Sequence, residues 1–541
     1  MKMTPASFRY NLASRLSACM LMTILLTAHS PVKVNSQKSP DRPNIIFIMA
    51  DDMGFSDIGC YGGEVQTPNI DRLAANGIKL RTFYNNARCC PTRASLLTGQ
   101  YPHSVGMGHM VTLPKGKYEP GSYQGFLSDR SPTIAEELKK AGYRTYMSGK
   151  WHVGERKEHW PVKRGFDRYF GLISGASSFY EITPAEKSKR IFALDDKEYE
   201  LPAEGFYATD AFTDHAIRFI KDHFEQQTAE PFFLYLAYTA PHFPLHAPEA
   251  EIAKYEKVYE KGWDEARRLR YESMKKAGYI DSRYRLSPRT KGIPDWMGDS
   301  EKDQWVRKMA VYAAMTDRMD QNIGRLISAL KTSRQFENTV IVFLSDNGGC
   351  AEIINTEGLH DPARKIGEKG SYSTIGEAWA NVSNTPFRMY KHNMHEGGIA
   401  TPFIIHWPAG IKPRKGFSDG IGHVIDLMPT ALELAGTKNV NLAGKSLSYL
   451  WTSKKQPDRT YCWEHEGNKA IRKGKWKLVR EHDDPSWALY DMKADPAELN
   501  DLASQKKELA DAMLAEYLAW EKQVGVKEFT GKRYGSASGA N

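Results

Sequence analysis

The sequence predicts an α/β protein built on a parallel sheet covered on both faces by helices. Four short apolar runs have the length and the β-branched or aromatic content of buried strands: Asn44–Ala50, Arg144–Ser148, Phe232–Tyr238 and Thr339–Ser345. Helix-like stretches, such as 131–141 and 305–331, lie between them. The second keeps Met309, Tyr312, Ala313, Met319, Ile323 and Leu326 on one apolar face. Strands that alternate with helices pair in parallel, because each return path is itself a covering helix. The chain is also long enough: 541 residues at 41% hydrophobic content allow one large core and a second, smaller one.

Taken in order, residues 1–36 read as a signal peptide and leader. Lys2, Arg9 and Arg15 give a basic start, and Leu16 to Ala28 is a mostly apolar run of signal length. That run is too short to span a bilayer, and no other segment approaches the roughly 20 apolar residues a spanning helix needs. An exported chain, periplasmic or secreted, with no membrane span is expected. Small residues allow cleavage at Val34-Asn35-Ser36 or within Ala28 to Ser30. Cys19 precedes the apolar run instead of following it, so it belongs to the signal and not to a lipid-attachment box.

Residues 41–445 carry the α/β pattern, which gives way after Gly444. The remaining 446–541 form a C-terminal subdomain. It contains Tyr461–Glu464, Ala470–Arg472, Trp476–Val479 and Ala488–Tyr490, then an amphipathic helix over 506–522. Residues 249–300, rich in Lys, Glu and Tyr, read as a helical insertion with a solvated face.

The formal net charge of +9 overstates the mature chain. The first forty residues hold five Lys/Arg and no Asp/Glu, which leaves +4 over 41–541. With no basic tract, this excludes nucleic acid as the natural partner and is compatible with an anionic substrate. Past the signal, the cysteines are Cys60, Cys89, Cys90, Cys350 and Cys462. This odd, sparse set is not a disulfide framework and has no zinc-site spacing.

The chemistry lies just beyond the apolar runs. The first is followed by Asp51-Asp52, the second by Lys150 and His152, the third by His242, the fourth by Asp346-Asn347. In open α/β sheets, ligands bind at the carboxyl ends of the strands. Singly, each group reads as a helix cap, a turn or a loop residue. Together they deliver capable side chains to one edge from four distant segments.

Between the first two runs stands Cys89-Cys90-Pro91-Thr92-Arg93-Ala94-Ser95-Leu96-Leu97-Thr98-Gly99. Pro91 suits a first helical turn and Gly99 a stop, so Cys89 falls at a helix N-terminus, where free N–H groups favour negative charge. This segment resembles the signature of the type I, formylglycine-dependent sulfatases, bacterial arylsulfatase-like members of the alkaline phosphatase superfamily. Cys89, Pro91, Thr92, Arg93 and Thr98-Gly99 stand where that family keeps its modified Cys, Pro, Ser/Thr, Arg and Thr-Gly. Only Cys89 has Pro two and Arg four residues later, which makes Cys90 the variable position. The likeness extends from Asn44 to Leu489-Tyr490-Asp491 and Asn500-Asp501-Leu502.

The resemblance implies a large mixed, mostly parallel sheet sandwiched by helices, closed by a small C-terminal antiparallel sheet plus helix. It implies metal ligands at Asp51, Asp52, Asp346 and Asn347, and catalytic groups at Cys89, Arg93, Lys150, His152, His242 and Lys391. The last lies five residues before Glu396-Gly397-Gly398, in a Lys-His-Asn-Met-His-Glu loop bulkier than the Lys-Gly of many members. An all-oxygen set favours a hard cation, Ca²⁺ or Mg²⁺, over zinc; the resemblance implies one Ca²⁺, and Asn347 distinguishes the set from the two-zinc phosphatases, which place His there. By the family mechanism, a hydroxyl of hydrated formylglycine-89, activated by the metal and Arg93, attacks sulfur while Ca²⁺, Lys150 and Lys391 offset charge on the sulfuryl oxygens. His242, with Lys391, protonates the leaving alcohol, and His152 acts as base. His465 and Asn468, in the turn after Tyr461–Glu464, are expected to reach the substrate. The expected reaction is hydrolysis of a sulfate ester, aryl or, in the cell, carbohydrate, with an enzyme that oxidises Cys89 as maturation partner. The alternatives are a phosphate- or phosphonate-ester hydrolase of the same superfamily and a sulfoglycan-binding protein with a dead site. The intact set of catalytic groups argues against the second.

Overall fold

A computed structural model describes residues 42–530, apart from 112–119, 185, 188, 227–229 and 438–440. Residues 1–36, read from the sequence as a signal peptide and leader, and Cys19 within them lie outside the described residues. Ten strands form one sheet: β1 Asn44–Ala50, β2 Ile78–Tyr84, β3 Arg144–Gly149, β4 Arg168–Leu172, β5 Phe192–Leu194, β6 Lys197–Glu198, β7 Phe232–Ala237, β8 Thr339–Ser345, β9 Phe403–His406 and β10 Phe417–His423. Their order is β10-β2-β9-β8-β1-β7-β3-β4-β5-β6. The four runs read from the sequence are β1, β3, β7 and β8. With β4 they make the parallel centre, β8-β1-β7-β3-β4. The sheet as a whole is mixed, because β9 runs antiparallel to both β8 and β2, and β5 antiparallel to β4.

Alternation along β1 explains why its sequence is apolar throughout. Ile46 and Ile48 enter one core layer, and Ile45, Phe47 and Met49 enter the layer on the opposite face. Register then fixes the site. Ala50 pairs with Ser345, Met49 with Ala237, and Gly149 with Ala237, so the central strands finish level. Backbone bonds carry the ladder one residue further: Asp51 N–H donates to Ala240 O (3.0 Å), Asp346 N–H to Ala50 O (3.1 Å) and Lys150 N–H to Ala237 O (2.7 Å). At this crowded edge Gly149 has φ +115°, and a Cβ there would lie 1.9 Å from Ala237 O.

The helix Lys302–Thr332 covers one face, matching the amphipathic stretch seen in the sequence. The insertion forms helices Glu249–Ile252, Glu256–Tyr259 and Gly262–Lys276. It is anchored by Arg270, whose guanidinium is bonded to Asp57 (2.7 Å) and Glu64 (2.6 Å). Asp57 in turn accepts from the Tyr312 hydroxyl, which also donates to the Asp52 carbonyl. The insertion thus braces the Asp51–Asp52 loop through Asp57 and Tyr312. Among the described residues no helix is long and apolar enough to cross a membrane.

β11 Thr460–His465, β12 Asn468–Lys473, β13 Trp476–Arg480 and β14 Ala488–Asp491 form a separate antiparallel meander. The helix Lys507–Val524 packs on it through Met513 and Tyr517, against Cys462, Ile471, Leu478 and Leu489. Polar clamps join this sheet to the large one. The Trp463 indole donates to Asn85 O (2.9 Å), just before the Cys89 helix. The wholly buried Lys477 ammonium lies 2.7 Å from Glu396 and 2.8 Å from Glu498. Removing one partner of a buried ion cluster leaves uncompensated charge and typically costs about 3–5 kcal/mol. Lys477→Met should therefore lower the thermal melting midpoint markedly; an unchanged melt would show that the clamp contributes nothing.

Candidate active site

The helix Cys89–Thr98 is buried at every position and ends at Gly99, whose φ of +64° caps it. Side chains before it set its start: Thr92 Oγ1 accepts from Asn86 N–H (2.9 Å), and the Asn86 amide donates to Ser95 Oγ (2.8 Å). β2 delivers this segment. It runs parallel to the central strands, so its carboxyl end lies at the same edge as theirs. Cys89 is 2% exposed. A hydrogen bond with Cys90 leads the effects that push its thiol well below the usual range; burial opposes this, and Lys150 and His152 add to it. Burial pushes the Cys90 thiol up. The five cysteines among the described residues are all free and buried.

Asp51, Asp52, Asp346 and Asn347 converge at the ends of β1 and β8, all essentially inaccessible to solvent. Cations surround them. Arg93 Nη2 donates to Asp346 Oδ2 (2.7 Å) and Nη1 to Lys150 O (3.0 Å). Lys150 Nζ lies 2.7 Å from Asp51 Oδ2, and Lys391 Nζ 2.9 Å from Asp52 Oδ2. His242 Nε2 lies 3.4 Å from the same Asp52 oxygen, while its Nδ1–H donates to Phe243 O (2.5 Å). Burial pushes Asp51 and Asp346 above the usual carboxylate range. Burial also acts against ionised Asp52, but His242 and Lys391 outweigh it and hold that group low.

Asp51 Oδ1 and Asn347 Oδ1 are buried without any hydrogen-bond partner. Two orphaned oxygens among three packed carboxylates fit a hard divalent cation, which would satisfy both and relieve their repulsion.

His152 approaches the nucleophile segment from β3, with its Nε2 3.3 Å from Cys90 Sγ. Gly175 permits this pose, since a Cβ there would sit 2.3 Å from His152 Nε2. Backbone strain gathers here. Asp52, Ala87, His152, Met389, His392 and Glu466 are non-glycine residues with φ between 48° and 81°. Such conformations persist where surroundings over-determine them, as at functional sites.

Two participants have no counterpart in the sequence reading. Glu352 lies 3.0 Å from Lys391 Nζ and 2.8 Å from Arg88 Nη1, linking the Lys391 loop to the residue before Cys89. Neither belongs to a periodic element; position alone, six residues past Asp346 and one before Cys89, marks them. His465 and Asn468 are buried in the β11–β12 turn. Asn468 is engaged there: its amide donates to His465 O (3.3 Å) and its carbonyl accepts from His482 N–H (3.1 Å). The His465 ring lies 6.0 Å from that of His392, beside the Lys391 loop.

A sequence-family profile described as Sulfatase matches residues 43–437, and one described as N-sulphoglucosamine sulphohydrolase, C-terminal, matches 387–523. An uncharacterized sulfatase of Schizosaccharomyces pombe is 33% identical over 536 residues, covering 91% of this chain and 96% of its own. The arylsulfatase of Klebsiella aerogenes is 36% identical over 421 residues, covering 75% of this chain and 89% of its own. Among solved structures, Ps i-CgsB in complex with k-i-k-neocarrahexaose superposes with a TM-score of 0.68 at 26% identity, over 92% of this chain and 96% of that one. The length of these matches, spanning both sheets and every segment that reaches the site, places the chain in the sulfatase family.

Proposed function

We propose that this sulfatase acts on a sulfated carbohydrate outside the cytoplasm, with residue 89 oxidised from cysteine to formylglycine and one Ca²⁺ held by Asp51, Asp52, Asp346 and Asn347. The observation that carries this reading is a helix N-terminal thiol packed among three buried cations and a carboxylate cluster with two orphaned oxygens. When present, the ion supplies Lewis-acid polarisation and the hydrated aldehyde an oxygen nucleophile.

The protein groups bind and orient the sulfate. Lys150 and Lys391, fixed on Asp51 and Asp52, face the incoming anion and offset charge on its oxygens. Arg93, locked between Asp346 and the Lys150 carbonyl, adds charge beside residue 89. Because Nδ1 of His242 keeps its proton on Phe243 O, Nε2 is the atom that faces the departing alcohol, and a proton taken up there from solvent when the sulfate anion binds beside it is the one passed to that alcohol. Burial lowers His242 to about 4 and His152 to about 3, so His152, neutral beside Cys90, serves as the proton acceptor.

The carbohydrate reading is supported by the similar solved structure that holds a neocarrahexaose. Export is supported by the basic start and apolar run of the first thirty residues. Maturation needs a partner enzyme that reaches residue 89 before folding, since the thiol is 2% exposed in the finished fold.

Initial rates on matched aryl sulfate and aryl phosphate should favour the sulfate by orders of magnitude; a faster phosphate reaction would overturn the assignment. A panel of defined sulfated saccharides read by mass spectrometry should then show sulfate release from at least one. Peptide mass spectrometry over Cys89 in active protein should find the aldehyde or its hydrate, and full activity with an unmodified thiol would refute that step. Calorimetric titration of chelator-stripped protein with CaCl₂ should show one site, weakened at least about tenfold in Asp51→Asn. Equal affinity in that variant would remove Asp51 from the ligand set.

A further inference from the structure

The ion pairs of the active site lead outward from Asp52 through Lys391 to Glu352, and from Glu352 to His392. Beyond them lies a second group of metal-type donors. One ligand atom from each of His392, His465 and Glu466 lies within 4.8 Å of the other two, and all three residues are buried. His109 approaches this group from the rim, its side chain 37% exposed and its Nε2 3.3 Å from Glu466 Oε1. His392 Nδ1 lies 3.2 Å from Glu466 Oε2, and His465 Nε2 3.7 Å from Oε1. Four donors around a tetrahedral zinc ion, at bond lengths near 2.0–2.1 Å, stand about 3.3 Å apart.

Two details point to a ligand rather than a closed hydrogen-bond cluster. His465 Nδ1 faces the Gly108 carbonyl at 3.4 Å and so carries its proton there. Its Nε2 is then a lone pair, fully buried, with no partner. Glu466 Oε1 is also without a directed hydrogen bond, despite its neighbours. The outer contacts have the pattern that orients metal-bound imidazoles: a backbone carbonyl behind His465, and Glu352 Oε1 3.1 Å behind His392 Nε2. Arg88 Nη1 is bonded to Glu352 and also contacts both ring nitrogens of His392, Nδ1 at 3.1 Å, so a bound ion would take the Nδ1 lone pair from that contact while Arg88 stays on Glu352. Burial lowers both His465, to about 3, and His392, leaving neutral imidazoles. His392 (φ +81°) and Glu466 (φ +48°) are both held in left-handed backbone.

We propose that His109, His392, His465 and Glu466 form a second metal site, for zinc or a similar divalent transition metal. Three nitrogens and one carboxylate are a poor cage for calcium and a good one for zinc. The donors come from three separate segments: the loop around Gly108, the Lys391 loop and the β11–β12 turn. A bound ion would therefore tie the C-terminal sheet to the rim of the active site.

The test uses full-length protein stripped with chelator, then dialysed against ZnCl₂ in excess CaCl₂, with zinc per chain read by elemental analysis and Co²⁺ binding read by visible absorption. Wild type should retain one zinc and give tetrahedral Co²⁺ bands; His465→Gln and Glu466→Gln should lose both. His109→Gln, at the exposed rim, should keep the wild-type melting curve in metal-free form yet bind zinc at least about tenfold more weakly. No retained zinc in wild type would overturn the proposal, as would unchanged affinity in His109→Gln and His465→Gln. Zinc lost only in Cys89→Ser would also overturn it, by placing the ion at the Cys89–Cys90–His152 cluster.

Discussion

Three carboxylates buried side by side at the end of β1 and β8 are the constraint around which the rest of the structure is arranged. Burying one unpaired charge costs several kcal/mol after relaxation, and Asp51, Asp52 and Asp346 sit where water cannot help. The fold answers with counter-charge from every direction. Arg93 comes from the helix after β2, Lys150 from β3, His242 from the loop after β7, and Lys391 from the loop before β9. Even so, Asp51 Oδ1 and Asn347 Oδ1 stay unsatisfied. The protein cations offset the charge, with Arg93 Nη2 still 3.6 Å from Asp51 Oδ1, but give neither of these two oxygens a hydrogen bond. Parallel register makes this possible, because only strands that finish level place four unrelated loops around one point.

The same electrostatic problem explains the bracing further out. Asp52 has left-handed backbone (φ +63°), and its carbonyl is held by Tyr312, which reports through Asp57 to Arg270 in the insertion. On the opposite flank Lys391 is shared between Asp52 and Glu352, and Glu352 is shared with Arg88. The C-terminal sheet joins this network twice. Trp463 holds Asn85, four residues before Cys89, and Lys477 holds Glu396, five residues after Lys391. The meander is thus fastened to the two loops whose placement the chemistry needs most.

What the sequence revealed follows from where solvent is excluded. β1, β3, β7 and β8 were legible because both faces of each are buried, which forces near-continuous apolar runs. β2 and β10 were not. β2 reads Ile-Lys-Leu-Arg-Thr-Phe-Tyr, and its Lys79 is accommodated because the ammonium donates to Cys60 O (3.0 Å) and lies 4.3 Å from the Tyr279 ring centre and 4.4 Å from that of Phe417. No local pattern announces such a tertiary arrangement. β9, too short to stand out, turns the sheet from parallel to mixed; the residues alone pointed to parallel, and the family likeness to mixed. Site groups directly after a strand, such as Asp51, Lys150 and Asp346, could be placed by topology. Lys391 came only from the resemblance, and Glu352, Arg88 and His109, in loops without periodicity, became visible only in three dimensions.

The two metal-type clusters divide the chemistry by donor softness. The inner one offers carboxylate and amide oxygens at the strand ends, suited to a hard ion that can face a sulfate oxygen. The outer one offers imidazoles whose second nitrogens are already committed to Gly108 and Glu352, suited to a borderline ion in a closed cage. Their separation is kept by Lys391 and Arg88, whose positive charges stand between Asp52 and Glu466 by way of Glu352. Glu352, paired with both cations, is thus the carboxylate that connects the two clusters.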